Sequence, residues 1–288
     1  MSTQLSEPRP MYWSIRRELW ENRSIYLAPL IVAAIVLFAT SISTLVMASK
    51  MRRVPTIDAA AVARPFSMAP APIMMTTILV GFFYCLDALY SERRDRSILF
   101  WKSLPVSDVT TVLSKASIPL VVLPLIAYVL SVITQLVLLQ LGSIALIGSG
   151  MRVWTEFRFI PGLLIMFYGL AVHALWFAPI YGWLLLVSAW ARRAPVLWAL
   201  LPPLAISAVE HIVSSKWSFM YMLQYRMTGA MKEGFALGSK SSHDGNINRL
   251  SELDPARFLS APGLWVGLAF AAVCLAAAVR LRRNREPI

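Results

Sequence analysis

The sequence has few charged side chains. Asp, Glu, Lys and Arg make up 15% of its 288 residues, whereas soluble domains contain about 25%. Hydrophobic residues make up 58%, and a soluble fold of this size would have to expose much of that apolar surface. The composition argues against a soluble enzyme, a disordered chain and a disulfide-stapled secreted domain. It predicts an integral membrane protein with a single transmembrane domain over residues 1–288.

Motifs for covalent, metal or nucleotide chemistry are also missing. The two cysteines, Cys85 and Cys274, lie in apolar runs without disulfide or metal-ligand spacing, and no catalytic or metal-binding arrangement can be assembled. The polar N-terminus lacks a signal-peptide core, so we expect no cleaved leader. The nearest approach to a phosphate-binding loop, residues 234–240, has the wrong spacing. We therefore expect no enzyme activity and no cofactor bound by this chain.

Six apolar segments reach the length of about 20 residues that a membrane-spanning helix needs. The predicted spans are residues 25–48, 70–90, 116–141, 159–189, 195–213 and 261–280. The expected fold class is therefore an all-α integral membrane protein with six transmembrane helices.

The distribution of basic residues predicts the orientation of these spans. With the N-terminus inside, 15 of the 27 basic residues fall in cytoplasmic segments, and the long last outer loop, residues 216–257, carries little topological weight. We therefore expect both termini in the cytoplasm. The net charge of +12 then indicates topology and attraction to anionic membrane lipids, and we expect no nucleic-acid partner.

Residues 11–23, ahead of the first span, predict a helix at the membrane interface. Met11, Ile15 and Leu19 recur every four residues, and Trp20 flanks this apolar stripe. The pattern is typical of a helix lying on the inner membrane surface, with its tryptophans at headgroup depth. A plain cytosolic helix leading into the first span is the alternative.

The first cytoplasmic loop, residues 91–107, is charged at its start and apolar from Ile98 to Trp101. This pattern predicts a short amphipathic helix that projects into the cytosol and presents bulky side chains to a partner protein. The alternative is that the same side chains lie flat on the lipid surface. Ser107 is the expected N-cap of the next helix, with Asp108 in its first turn.

Three segments of the sequence carry a resemblance to a known family. The stretch Ser91–Ser107 resembles the first intracellular loop of the membrane subunits of type 2 ATP-binding-cassette exporters. Arg17–Arg23 is similar to their N-terminal interfacial helix, and Phe258–Trp265 resembles the approach to their last span. The likeness covers the whole six-span plan, but the specific motif similarity is limited to these three places.

The resemblance implies a permease subunit of an ATP-driven exporter in the inner membrane of a bacterium. It implies two partner ATPase subunits, which bind ATP and Mg²⁺, and a second permease as a homodimer or related heterodimer. The route between the permeases would suit an amphipathic or hydrophobic cargo, such as a peptide, drug-like or lipid-like molecule. The loop would hold a coupling helix near Arg94 to Lys102. The implied ATPase-coupling residues are Glu92, Arg93, Arg94, Asp95, Arg96, Ile98, Phe100, Trp101 and Lys102.

The last outer loop contains Trp217, Tyr221 and Tyr225 at a spacing of four residues, which predicts one aromatic face on a helix. Such a face suits the outer interface of the membrane, where aromatic side chains are enriched even when they have no functional role. The family resemblance adds the alternative of an outer gate, because related permeases carry short re-entrant helices at this point.

Four ionisable residues within the predicted spans or near their ends suggest an alternative function. They are Asp87, His173, Glu210 and His211. Ionisable groups inside membranes often form proton relays, so the alternative is a proton-coupled secondary transporter or a channel. A membrane assembly or immunity protein, which binds a partner without moving cargo, is a third class.

Overall fold

The computed structural model describes residues 10–51, 65–97, 106–145, 147, 159–235 and 250–284. About 91% of these residues are helical and none belongs to a strand. The helices are α1 (Pro10–Glu21), α2 (Ser24–Met51), α3 (Pro70–Ala88), α4 (Tyr90–Arg94), α5 (Asp108–Ser117), α6 (Leu123–Ala145), α7 (Phe159–Trp190), α8 (Pro195–Ser214), α9 (Ser218–Gly234), α10 (Pro255–Ser260) and α11 (Pro262–Asn284). A π-helical turn, Ile118–Val122, joins α5 to α6.

Six helical segments are long and apolar enough to cross a membrane, which confirms the predicted number of spans. They are Ser24–Lys50, Pro65–Arg94, Asp108–Ala145, Phe159–Trp190, Pro195–Ser214 and Pro262–Asn284. The third and fourth contain 38 and 32 residues. Each is therefore longer than the run of about 20 residues that crosses the hydrocarbon core of a bilayer. The chain is therefore an all-α, multi-pass membrane protein.

The predicted N-cap of the helix that follows the first cytoplasmic loop is confirmed, whereas the third span begins earlier than the predicted residue 116 because α5 continues through the π-helical turn into α6. The Ser107 hydroxyl accepts a hydrogen bond from the Thr110 backbone N–H at 3.1 Å, and Asp108 lies in the first turn of α5. A serine at this position satisfies one of the free N–H groups of the first turn, and a carboxylate there suits the positive end of the helix dipole.

Helix α7 forms the centre of the bundle and packs most extensively against α11. At their crossing, a Cβ on Gly182 would lie 3.2 Å from the Ala271 Cα, so the absent side chain lets the two backbones approach closely. Small residues at such crossings are typical of helix packing in membranes, where close van der Waals contact replaces the hydrophobic effect. Leu184 and Leu185 of α7 are fully buried beside this crossing.

Helices α2 and α8 turn large apolar side chains outward. Exposed residues include Ile35 and Phe38 on α2, and Leu200, Ile212 and Val213 on α8. A water-soluble protein does not expose apolar surface on this scale, whereas a bilayer solvates it. These two helices therefore carry much of the apolar surface of the described chain that a bilayer or another apolar partner must cover.

The bundle has two ends that differ in chemistry. At one end, which we call the α1 end, the contacts described below join α1, α4 and α5 with the last turns of α7 and α11. At the other, the α9 end, α9 packs on α7, α8 and α10 and is hydrogen-bonded to the start of α11. The length of α11 separates Gly263 at the α9 end from Arg282 at the α1 end, about 28 Å at 1.5 Å per residue.

Helix α1 turns a different face to the bundle than the sequence suggests. Ile15 and Leu19, which were expected to face the membrane, pack against the hydrophobic core. Trp13 and Trp20 are instead 56% and 66% exposed. The reason is Glu18, whose side chain is buried against the bundle and fixes the rotation of the helix.

Candidate functional site: an ion network at the α1 end

Glu18 of α1 is fully buried and lies at the centre of a cluster of charges. Its Oε1 accepts hydrogen bonds from the Lys115 Nζ and the Arg17 Nη2, each at 2.8 Å. Its Oε2 accepts a third from the Tyr84 hydroxyl at 2.7 Å. Three donors thus satisfy one carboxylate, and they come from α1, α3 and α5.

Glu92 of α4 extends the cluster to the last span. Its Oε1 lies 3.1 Å from the Lys115 Nζ and 3.3 Å from the Arg17 Nη2. Its Oε2 is ion-paired with Arg282 of α11, and the Arg282 Nε donates to Asp108 Oδ1 at 3.0 Å. We call this cluster the ion network; its members are Arg17, Glu18, Glu92, Asp108, Lys115 and Arg282.

The ion network balances three carboxylates against three cations. An unpaired charge in a protein interior costs several kcal/mol even after relaxation, so such groups are buried only with partners. A balanced network adds little stability over apolar packing of the same volume. What it adds is a fixed geometry, because moving any one member leaves its partners unpaired. The network therefore ties α1, α4, α5 and α11 into one unit.

The charges also control the protonation of Glu18. Burial alone would raise the pKa of its carboxyl, but Lys115 and Arg17 outweigh burial and hold the pKa below its usual value. Glu21, one turn further along α1, is half-exposed and has only a 3.7 Å contact with Arg17. Burial dominates there and raises the Glu21 pKa. Glu18 is therefore ionised at neutral pH, as its ion pairs require.

A second set of contacts joins the start of the first loop to α7. The backbone N–H groups of Leu89 and Tyr90 donate to the Ser188 hydroxyl at 3.0 and 2.9 Å, and this interrupts the helix between α3 and α4. The buried Arg93 guanidinium donates to the backbone carbonyls of Ala191 and Ser188. The loop therefore leaves the bundle from a rigidly held turn.

The residues expected to couple to an ATPase fall into three groups. Glu92 and Arg93 are buried within the chain itself and hold the loop in place. Arg94, Asp95 and Arg96 are exposed: Arg94 pairs with Asp95 at 2.9 Å, and Arg96 has a left-handed φ of 57°, which ends the helical path. The apolar tip residues and the base after them lie outside the described residues: Ile98, Phe100, Trp101 and Lys102.

Reasoning from the sequence missed most of the ion network. Glu18, Lys115 and Arg282 were not singled out from the sequence, and Asp108 was named only as a residue in the first turn of a helix. The available signal was the position of Lys115 and Arg282 deep within the ends of otherwise apolar helices, where a cation needs a carboxylate partner. The partners themselves are remote in sequence: 97 residues separate Lys115 from Glu18 and 190 separate Arg282 from Glu92.

At the α9 end, the three aromatic residues expected to share one face make different contacts. Trp217 stacks on His211 with ring centroids 4.2 Å apart. Tyr221 is 67% exposed. Tyr225 packs edge-on against Trp176 of α7 at 5.4 Å and donates its hydroxyl to Glu233. Only Tyr221 is thus left with a largely exposed ring.

Arg226 is the residue that fixes α9 against the spans. Its guanidinium lies 4.6 Å from the Trp176 ring centroid, and its Nη1 donates to the Gly263 carbonyl at 3.0 Å. The Trp176 Nε1–H donates back to the Arg226 carbonyl at 2.8 Å. A Cβ on Gly267 would overlap the guanidinium, so this glycine creates the space for the arginine. The sequence analysis did not single out Arg226.

The ionisable residues that suggested a proton relay are not brought together. Asp87 is exposed near the α1 end. Glu210 accepts a hydrogen bond from the Phe219 N–H at 2.8 Å, which joins α8 to α9 at the other end. His173 stacks on Phe177 at 4.7 Å and lies 3.3 Å from the Tyr181 hydroxyl. Within the described ranges, no group of His, Cys, Asp and Glu could hold a metal ion.

The six apolar helices define the class as a multi-pass membrane protein. No protein-family model, no curated protein and no solved structure matches this chain. Its function is therefore inferred from the residues and contacts described above.

Proposed function

We propose that this chain is the permease subunit of an ATP-driven exporter in a bacterial inner membrane. The observation that carries the proposal is the ion network, which ties Glu92 at the start of the 91–107 loop to α1, α5 and α11. A loop with charged residues at its start, fixed to three other helices, is suited to pass a mechanical displacement into the membrane. The resemblance of its sequence to exporter coupling loops supports the same role.

The proposed mechanism assigns the energy source to other chains. Two partner ATPase subunits bind ATP and Mg²⁺ and dock on the loop through Arg94 and the apolar tip around Trp101. Their closure moves the loop. Because Lys115 and Arg282 are ion-paired to Glu92, the movement is passed to the third and sixth spans. The α1 end then lies in the cytoplasm, as the basic residues predict.

The cargo route in this proposal lies between two permease subunits, either two copies of this chain or this chain and a relative. The exposed surface of the spans is apolar, which suits an amphipathic or hydrophobic cargo. The α9 end would then be the exit. Tyr221, with its exposed ring, and the contacts of Trp217 and Tyr225 make α9 the candidate outer gate.

The test compares loop variants with a matched surface variant in the complex purified from its native membrane. Trp101→Ala and Arg94→Glu are expected to release the ATPase chain or abolish cargo-stimulated ATPase activity, because both alter the proposed docking surface. Arg192→Glu changes an exposed arginine at the same end of the bundle but outside the loop, and is expected to retain both. Unchanged assembly and unchanged activity in the loop variants would contradict the coupling role.

The alternative of a proton-coupled transporter receives less support, because Asp87 and Glu210 lie near opposite ends of the bundle. It is separated from the exporter by its energy source. Transport into proteoliposomes driven by a proton gradient, with no ATPase chain present and lost in Asp87→Asn or Glu210→Gln, would favour the alternative.

A further inference from the structure

The outward face of α1 carries an arginine held between two tryptophans. Trp13, Arg16 and Trp20 follow each other at i, i+3 and i+7, which places them on one side of the helix. The Arg16 Cζ lies 5.3 Å from the Trp13 ring centroid and 4.6 Å from that of Trp20. Tyr12 extends the group with an edge-on contact to Trp13 at 5.5 Å. We call Trp13, Arg16 and Trp20 the Trp-Arg-Trp face.

The two arginines of α1, Arg16 and Arg17, make different contacts. Arg17 points inward and is bound to Glu18 and Glu92 of the ion network. Arg16 points outward, and in the described part of the chain it forms no ion pair. Its planar guanidinium lies close to the two rings, and the residue is partly exposed. Arg23, in the turn after α1, adds a second exposed positive charge close by.

The position of this face along the chain is that of a membrane boundary. Only Asn22 and Arg23 separate α1 from α2, the first span. The first turns of α2 expose Tyr26, Leu27 and Leu30, so lipid-facing surface begins immediately after the Trp-Arg-Trp face. Tryptophan rings settle at headgroup depth, where one part of the ring is apolar and its N–H can reach water or headgroups.

We propose that the Trp-Arg-Trp face binds the phosphate-bearing headgroup of an anionic phospholipid. The rings insert among the upper parts of the acyl chains, and the guanidinium, in a fork geometry suited to phosphate oxygens, pairs with the headgroup. Glu18 holds the opposite side of α1 to the bundle, so the face is presented to the membrane in a fixed orientation. This site does not depend on the exporter assignment, because it requires only the bilayer.

The experiment measures tryptophan quenching by brominated lipids in nanodiscs that contain the full chain. The lipid is either brominated phosphatidylglycerol, which is anionic, or brominated phosphatidylcholine, which is zwitterionic. The chain has 10 tryptophans, so the signal of the face is taken as the difference between the wild type and a Trp13→Phe/Trp20→Phe variant. No ATPase partner is needed, so the outcome is independent of the test of exporter function.

In the wild type, this difference signal is expected to be quenched preferentially by the anionic lipid. Arg16→Gln should lower that preference about fivefold, which is the effect expected from removing one basic side chain near an anionic membrane surface. Arg16→Lys should retain part of it, because the charge remains but the stacked fork is lost. Arg192→Gln removes an exposed arginine at the same end of the bundle but outside the Trp-Arg-Trp face and should leave the preference unchanged.

Two results would overturn the proposal. Equal quenching of the difference signal by both lipids would show that the rings meet lipid without headgroup recognition. If neither lipid quenches the difference signal, the face contacts water or a partner protein and not the membrane.

Discussion

Lys115 is the single side chain on which the α1 end depends most. It bridges Glu18 and Glu92 with distances of 2.8 and 3.1 Å, and its own side chain is 3% exposed. Each carboxylate also contacts Arg17, and Glu92 pairs with Arg282 as well, but two arginines cannot balance the three carboxylates of the ion network. The removal of Lys115 therefore leaves negative charge in the interior without compensation.

Lys115→Met is expected to destabilise the protein by about 3–5 kcal/mol, the range for removing one partner of a buried ion pair. Methionine keeps the length and apolar stem of the lysine, so the effect isolates the charge. Lys50→Met, at the exposed end of α2, is the control and should change stability little. Thermal unfolding in one detergent measures both variants, and equal melting temperatures would contradict the importance of the ion network.

The depressed pKa of Glu18 predicts how this contribution varies with pH. A carboxyl whose pKa is lower in the folded state stabilises the fold above its unfolded pKa of about 4.3 and loses that contribution as pH falls through the folded value. Glu18→Gln should therefore be less stable than the wild type at pH 7, with a difference that shrinks on acidification below about pH 4. Melting temperatures of both proteins across this range measure it, and a difference independent of pH would argue against an ionised Glu18.

At the scale of the element, α9 is held by an arginine that occupies a glycine-lined site. Gly263 and Gly267 of α11 are four residues apart and face the same side of the helix. In membranes such pairs usually let two helices approach. Here the Gly263 carbonyl accepts a hydrogen bond from the Arg226 guanidinium, and Gly267 leaves room for that guanidinium. The small residues of α11 therefore accommodate a side chain from α9.

Gly267→Ala is expected to displace Arg226 from Trp176 and loosen α9. Overpacking of this kind costs about 1–3 kcal/mol, and the cation–π contact with Trp176 is lost as well. Gly162→Ala is the matched control, since a Cβ on Gly162 has no atom within 4 Å. The measurement is the rate of labelling of a cysteine placed at the buried Ala230 of α9 in both backgrounds. Faster labelling only with Gly267→Ala is expected, and equal rates would contradict the role of Arg226 as the anchor of α9.

The elements themselves are the part of the structure that the sequence predicts well. Apolar length gives the six spans, because a membrane helix needs a continuous apolar run, and the Ser107 cap follows from a local pattern. The rotation of α1 does not follow from its own sequence. Its apolar stripe suggested contact with lipid, but the pairing of Glu18 with Lys115 determines which side faces the bundle.

At the scale of the whole molecule, the ion network could not be predicted from one sequence. Its members come from α1, α4, α5 and α11, and their pairing depends on how the spans are arranged in space. The position of Arg226 could not be predicted either, because it depends on contacts with Trp176 and with α11. Local patterns identify which segments enter the membrane, whereas the identity of each charge partner is a property of the assembled bundle.

In the proposed exporter, the two ends of the bundle have different roles. The α1 end is held rigid by ion pairs and carries the loop that would receive the motion of an ATPase. The α9 end is held by one arginine, one glutamate cap and aromatic contacts, and its release needs fewer contacts to break. An exporter requires this combination of a firm coupling site and an end that can open.

The most direct test of this account is native mass spectrometry of the complex isolated through an affinity tag on this chain, from its own membrane. We expect an assembly of two permease subunits, either two copies of this chain or this chain with a relative, and two ATPase chains that carry a phosphate-binding loop. Trp101→Ala should release the ATPase chains, while Arg192→Glu should keep them. A chain that is recovered alone or only with copies of itself, with no ATPase under conditions that preserve membrane complexes, would contradict the account.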